Sequence, residues 1–235
     1  MNILAIDTSN YVLGVAILNN KQIVGEYVTN LPKNHSVRLM PAVNQLMQDV
    51  QMTPEQLDEI VVAKGPGSYT GVRIGLTTAK TLAWALDIPI VGVSSIKALA
   101  YQGRFFPGYI CPFFDARRQM VYTGLYKWND RTIQEVSEER NIKMSDWLQM
   151  IGEKEENILF LSPDLALYED MIVKSLGNRA IFPEAPYQIA KPSHVALASM
   201  NQTKDEPHTL APNYLRLAEA EANWLKSEKG KQANE

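Results

Sequence analysis

Two stretches carry residue types that could do chemistry. The first is Asp7-Thr8-Ser9-Asn10, an acid and three hydroxyl or amide side chains at the end of an apolar run. The second is Lys64-Gly-Pro-Gly-Ser-Tyr-Thr-Gly-Val-Arg-Ile-Gly75, which places three glycines and a proline within seven residues between an apolar run and a helical pattern. Glycines at a strand-to-helix junction permit positive φ and close backbone approach, and the unpaired amides of a helix's first turn can hold an anion. Asp7, Thr8, Ser9, Gly65, Gly67, Ser68 and Gly71 are therefore the candidate nucleotide or anion site. A turn followed by a closely packed helix is the other explanation of the same glycines.

Spacing excludes the familiar phosphate loops. A P-loop requires Lys-Ser or Lys-Thr after its last glycine, whereas Val72-Arg73 follows Gly71. The dinucleotide fingerprint needs its third glycine one residue earlier. An acid at the end of a strand, Asp7, repeated in Asp115, could orient a metal-bound phosphate, although aspartate after a strand is commonly a turn residue. His35, His194 and His208 have no i,i+4 partner, Ser68 lacks nucleophile-elbow spacing, and Cys111, the single cysteine, lies in an apolar run that marks it as core. Tyr101, Arg104, Arg117 and Arg118 are either an anion-binding rim or solvated side chains.

The elements that must position these residues follow from periodicity. Strands are predicted at Asn2 to Ile6, Val12 to Leu18 and Ile23 to Val28, then a helix from Ser36 to Gln51, a strand ending at Ala63, a helix from Thr70 to Leu86, and a strand from Ile88 to Ser94. After a short helix from Ser95 to Tyr101 the pattern restarts. Strands at Tyr109 to Phe114, Val121 to Tyr126 and Thr132 to Val136 precede a helix at Ser145 to Ile151, a strand at Ile158 to Leu161, a helix at Leu165 to Leu176 and a strand at Ala180 to Phe182. Overlaying the halves puts Asp115 on Asp7, a self-similarity of pattern. The expected division is a first lobe over 1–103, a smaller second lobe over 104–192, and a C-terminal helix over about 193–226 packing back on the first.

Composition sets the outer bounds. A 235-residue chain with 46% hydrophobic residues is long enough for two modest cores, and a net charge of −3 argues against a protein that grips nucleic acid unaided. No leader pattern precedes the first strand, so a cytoplasmic location is expected. Gly71, Gly75, Ala79 and Ala83 form a row of small side chains at four-residue spacing, which lets another backbone, of this chain or a second one, come very close.

Ile6-Asp-Thr-Ser9, His35-Ser36 with Leu39 and Pro41, the Gly65 to Gly75 loop, and Pro212-Asn-Tyr-Leu-Arg216 together resemble the TsaB (YeaZ) family across nearly the whole chain. The resemblance implies an α/β fold of two ribonuclease-H-like lobes in tandem, of the actin-like ATPase and sugar-kinase superfamily, with mixed sheets flanked by helices. It implies a non-catalytic subunit that supports the transferase TsaD, with TsaE joining, in forming threonylcarbamoyl-adenosine in tRNAs that read codons starting with A. The His-x-x-x-His metal pair of TsaD falls here on Ser95 and Leu99, which cannot bind a transition metal as imidazole does.

From this resemblance the partner surface is expected at His35, Leu39, Met40, Val43, Met47, Val72, Gly75, Leu76, Ala79 and Ala83, with a homodimer through the same face when TsaD is absent. No cofactor is required by the chain itself, the complex could hold ATP or ADP in this chain, at the joint interface or in TsaD, tRNA is met only through it, and no membrane is involved. The competing expectation is an ATP-binding enzyme of the same superfamily using Asp7, the glycine loop and Asp115.

Overall fold

The structure, a computed structural model, describes residues 1–31, 34–129, 132–200 and 202–215. The first sheet contains β1 (Asn2–Asp7), β2 (Val12–Asn19), β3 (Gln22–Asn30), β4 (Glu59–Ala63) and β5 (Ile90–Val93), in the order β3-β2-β1-β4-β5. Its first three strands are an antiparallel meander, and β4 and β5 join β1 in parallel. Asn20 and Lys21 both have positive φ, the geometry of a two-residue turn whose twist matches the flanking strands. β1 and β4 read as continuous apolar runs because both of their faces are covered.

The second sheet repeats this plan. It is built from β6 (Tyr109–Asp115), β7 (Met120–Asn129), β8 (Thr132–Lys143), β9 (Ile158–Leu161) and β10 (Ala180–Ile181), ordered β10-β9-β6-β7-β8. Read from its other edge, that is the order of the first sheet, with the same antiparallel and parallel pairings. The chain is thus two ribonuclease-H-like lobes in tandem. Asp7 and Asp115 are the last residues of equivalent central strands.

Helices fill the spaces between and outside the sheets. α1 (His35–Asp49) and α2 (Tyr69–Leu86) bury Leu39, Val43, Leu76 and Ala79 against Leu4, Ile6 and Ile60 on the outer face of the first sheet. α4 (Met144–Ile151) and α5 (Glu169–Leu176) do the same for the second sheet, packing Trp147 and Ile172 on Cys111, Phe113 and Phe160. Between the sheets lie α3 (Ser95–Ala100), which contacts β6, β7 and β8, and α6 (Pro192–Ser199), which contacts β1, β2 and β4. α3 and α6 touch each other, so one apolar cluster runs from Ala5 and Val93 to Phe114 and Tyr126. Each fully buried large side chain there contributes about 1.5–3 kcal/mol.

Several boundaries differ from the sequence expectation. α1 begins at His35 rather than Ser36, and Asn34 caps it, its side chain accepting from the amide of Ser36 at 3.1 Å. β8 extends to Lys143, because a register shift that bulges Glu138 and Glu139 lets Arg140 to Lys143 resume pairing with Thr123 to Met120 of β7 although the bulge breaks the alternation. The helix expected from Leu165 divides into a 3-10 turn, Leu165–Leu167, and α5. A single helix over 193–226 is not formed: α6 ends at Ser199, and residues 202–215, which include Pro207 and Pro212, run as an irregular strap. The remainder of the expected helix, from 216 onward, lies outside the described residues. The strap covers the edge of β5, where the amide of Asp205 donates to Ile90 and its carboxylate accepts from the amide of Gly92.

Two buried groups give checks on this core. Burial pushes the Cys111 thiol up to about 11, although Trp147 and Thr123 point hydrogen-bonding groups at its sulfur. The folded protein is expected to leave Cys111 unmodified by a thiol reagent at pH 8, and rapid stoichiometric labelling would contradict the packing. His194 is held down to about 3 by burial and by the positive charges of Arg104 and Lys191. Below its ordinary value of 6.5 the unfolded chain takes up a proton that the folded chain refuses, so stability falls as pH drops from 6.5 toward 3. Urea unfolding midpoints from pH 7 to pH 4 measure this slope, which His194→Gln should flatten.

Candidate functional site

The glycine loop is shaped by what it packs against. A Cβ on Gly67 would lie 2.2 Å from the carbonyl oxygen of Ser9, one on Gly71 2.2 Å from that of Thr8, and one on Gly75 2.4 Å from Thr8 Oγ1. Hydrogen bonds lock the same contact: the Ser68 amide donates to the Ser9 carbonyl at 2.7 Å, and the Thr8 hydroxyl donates to the Gly71 carbonyl at 2.8 Å. Gly65, at φ 92, precedes a cis peptide bond to Pro66 and exchanges hydrogen bonds with Ser95 at the start of α3. The loop after β4 is therefore seated directly on the loop after β1.

That seating takes up part of what an anion would use. Asp7, Thr8 and Ser9 are almost wholly buried. Asp7 Oδ1 accepts from both the amide and the hydroxyl of Ser9, and burial raises its pKa more than those bonds and His35 lower it. The amide of Ser68 is taken by Ser9, and that of Gly71 by the Ser68 hydroxyl at 3.3 Å. Asp7, Thr8 and Ser9, expected as ligand-binding residues, are instead the structural footing of the loop, and Gly65 is buried beside Val72 and Asn213.

Gly67, Ser68 and Gly71 do line a cleft of about 670 Å³ between the lobes. The loops after β1 and β4 form one wall and those after β6 and β9 the other, because equivalent strands end at the same level in each lobe. Asn10, Tyr11 and His35 complete the near wall, and Asp115, Arg117 and Asp164 the far one. Asp164 accepts from the amide of Asp115 at 2.9 Å, and Asp115 accepts from Tyr168 Oη at 2.6 Å. Burial, and to a lesser degree the Asp115 charge, raises the Asp164 pKa. Two carboxylates therefore face a loop in which the Ser68 and Gly71 amides are already bonded within the chain. Among the described residues no three His, Cys, Asp or Glu side chains converge as a metal site.

The expected partner surface also needs correction. Leu39, Val43, Met47, Val72, Gly75, Leu76, Ala79 and Ala83 are buried in the chain's own first core and cannot form a docking face. The row of small residues faces β1 and the Thr8 turn of the same chain. Of the ten expected residues, His35 is partly exposed, its Nε2 donating to the Asn10 carbonyl, and Met40 is exposed.

Sequence reasoning missed the strap's part in this site. The amide of Asn213 donates to the Lys64 carbonyl, while Tyr214 stacks on Tyr69 at 5.5 Å and accepts from Arg73 Nε at 2.6 Å. The Pro212-Asn-Tyr motif was legible, but not that it meets the glycine loop. Asp164 could have been found from its position after β9, the equivalent of the loop after β4.

Fold and cleft define a two-lobed α/β protein with the same strand order in each lobe, and a Thermus thermophilus ROK hexokinase superposes with a TM-score of 0.50 at 8% identity, covering 84% of this chain and 98% of that one. Residues 16–224 match the family model described as "TsaD: tRNA N6-adenosine threonylcarbamoyltransferase". A Bacillus subtilis protein named "tRNA threonylcarbamoyladenosine biosynthesis protein TsaB" is 52% identical, covering 97% of this chain and all of that one. YeaZ from Pseudomonas aeruginosa superposes with a TM-score of 0.75 at 23% identity over 91% of this chain and 99% of that one. The chain belongs to the TsaB (YeaZ) family.

The loop contact makes a direct prediction. Gly75→Val should destabilise the protein by about 1–3 kcal/mol through its clash with Thr8, whereas Thr77→Val on the exposed side of α2 should stay within about 0.5 kcal/mol. Equal urea midpoints for the two variants would refute the seating described here.

Proposed function

We propose that the chain is a non-catalytic subunit in the biosynthesis of threonylcarbamoyl-adenosine in tRNA, docking on the transferase TsaD through the outward face of α1 and α2. The observation that carries the docking site is the composition of that face. α1 exposes Val37, Met40, Pro41, Asn44 and Gln45, and α2 exposes Thr70, Thr77, Thr81, Trp84 and Ala85. Trp84 and Val37 are 68% and 65% exposed. Apart from Arg73, which lies over Tyr69, and Asp49 at the end of α1, these exposed positions are uncharged or apolar, unlike an ordinary solvated helix surface.

The occupant is argued from kinship. Because this chain matches the family model of the transferase, the transferase is expected to carry equivalent helices, and two related faces can pack about a pseudo-two-fold axis. A homodimer through the same face follows when TsaD is absent. TsaE joins the pair, nucleotide belongs to the assembled complex, and tRNA is met there. The non-catalytic role is supported by α3, where Ser95 is wholly buried and bonded to Gly65 and Leu99 lies in the core, so neither position of the transferase's metal pair offers a ligand.

Trp84→Glu combined with Met40→Glu should abolish co-purification with TsaD while leaving thermal stability nearly unchanged, since both side chains are exposed. In cells depleted of the protein, threonylcarbamoyl-adenosine in bulk tRNA, read by mass spectrometry, should fall and be restored by the wild type but not by the double variant. Undiminished modification would refute the pathway, and full rescue by the variant would refute the docking face.

A further inference from the structure

At the opposite end of the first sheet, one carboxylate is buried with little to balance it. Glu59 opens β4 beside Ile3 of β1 and is 6% exposed. Among the described residues its carboxylate receives no hydrogen bond, and its one ion pair is with Lys204 at 3.9 Å, whose side chain is 62% exposed. The side chain is mostly covered and its carboxylate opens on a pocket, so its ionised form is partly desolvated and incompletely paired. Burial accordingly raises the Glu59 pKa, and Lys204 only partly offsets it.

Glu59 lines a pocket of about 410 Å³ together with Ile3, Val91, Met200 and Gln202. It stands roughly 15 Å along β4 from the glycine loop, so it is separate from the interlobe cleft. The lining offers aliphatic side chains and one buried acid, within the size range of small-ligand sites. Lys21, Lys204 and the amino terminus of Met1 also border it, but all are exposed and screened by water, and the Met1 ammonium is already bonded to Asn20 Oδ1 and close to Asp58. A neutral ligand would desolvate Glu59 further, and an anion would be repelled by it. A cation on an apolar stem satisfies both halves of the lining.

We propose that this pocket binds an aliphatic primary ammonium, which replaces Lys204 as the counter-ion of Glu59 while its alkyl stem lies against Ile3, Val91 and Met200. The exposed Lys204 ammonium, 3.9 Å away, is a displaceable stand-in for the ligand's own charge. The same chemistry can come from a free amine or from a lysine side chain of another polypeptide.

Calorimetric titration of the full-length protein with pentylamine, pentanoate and Nα-acetyl-lysine amide tests this. Pentylamine should bind saturably and pentanoate should not. Glu59→Gln should weaken pentylamine by about tenfold or more, and Lys204→Ala should strengthen it by removing the competing cation. Because Glu59→Gln removes only a buried charge, it should fold with a melting temperature at or above that of the wild type. Equal binding of Nα-acetyl-lysine amide identifies a polypeptide lysine as a competent source, and its exclusion restricts the site to free amines. Binding of pentanoate as tight as pentylamine, unchanged affinity in a folded Glu59→Gln variant, or no saturable amine binding overturns the assignment.

Discussion

Everything at the head of the first lobe depends on one backbone-to-backbone contact, the seating of the loop after β4 on the turn after β1. Gly67 and Gly71 sit where any Cβ would meet a carbonyl oxygen, and the bonds from Ser68 and Thr8 hold the two loops at that distance. From this contact α2 receives its starting direction, Ser95 its bond to Gly65, and the strap its landing place on Lys64. Glycine is required here for proximity more than for backbone torsion: of these positions only Gly65 has positive φ. Of the two readings of the glycine stretch, ligand cradle and close packing, close packing accounts for the missing side chains, and the Ser68 amide is bonded to the Ser9 carbonyl.

The duplication explains both the architecture and the asymmetry of the cleft. Equivalent strand orders bring equivalent loops to the same level, yet the two walls have different chemistry. The first wall ends in a buried aspartate satisfied by its own turn, and the second in a half-exposed pair, Asp115 and Asp164, tied to Tyr168. An acid at the end of each central strand thus retains its position without retaining a shared role. On the far side of the lobe junction another carboxylate, Glu139, accepts from the hydroxyls of Ser94 and Tyr126 and joins the first lobe to the second.

Much of the architecture was legible because buried strands and amphipathic helices have periods that side chains must obey. The repeat was visible as the return of an apolar strand ending in aspartate at Asp115, and the long helices followed from residues such as Leu39, Val43, Leu76 and Ala83. What periodicity does not encode is which neighbour covers an apolar stripe. Those same four side chains were assigned to a partner, although the first sheet already covers them. The surface suited to a partner consists of the residues between them, Val37, Met40 and Trp84, which stand out only once the inward face is known. The strap was illegible for a related reason: its bonds to Lys64 and Gly92 span more than a hundred residues, and no local pattern announces them.

The layer shared by the two sheets has a mechanical consequence. In a two-jawed enzyme, each jaw has its own core and the gap between them narrows when substrate arrives. Here α3 leans on one sheet, α6 on the other, and their buried side chains interlock in a single cluster. Narrowing the gap would have to shear close-packed side chains past one another, and such interiors resist continuous deformation. The groove between the lobes is therefore of fixed gauge, and the molecule behaves as a bracket rather than a clamp.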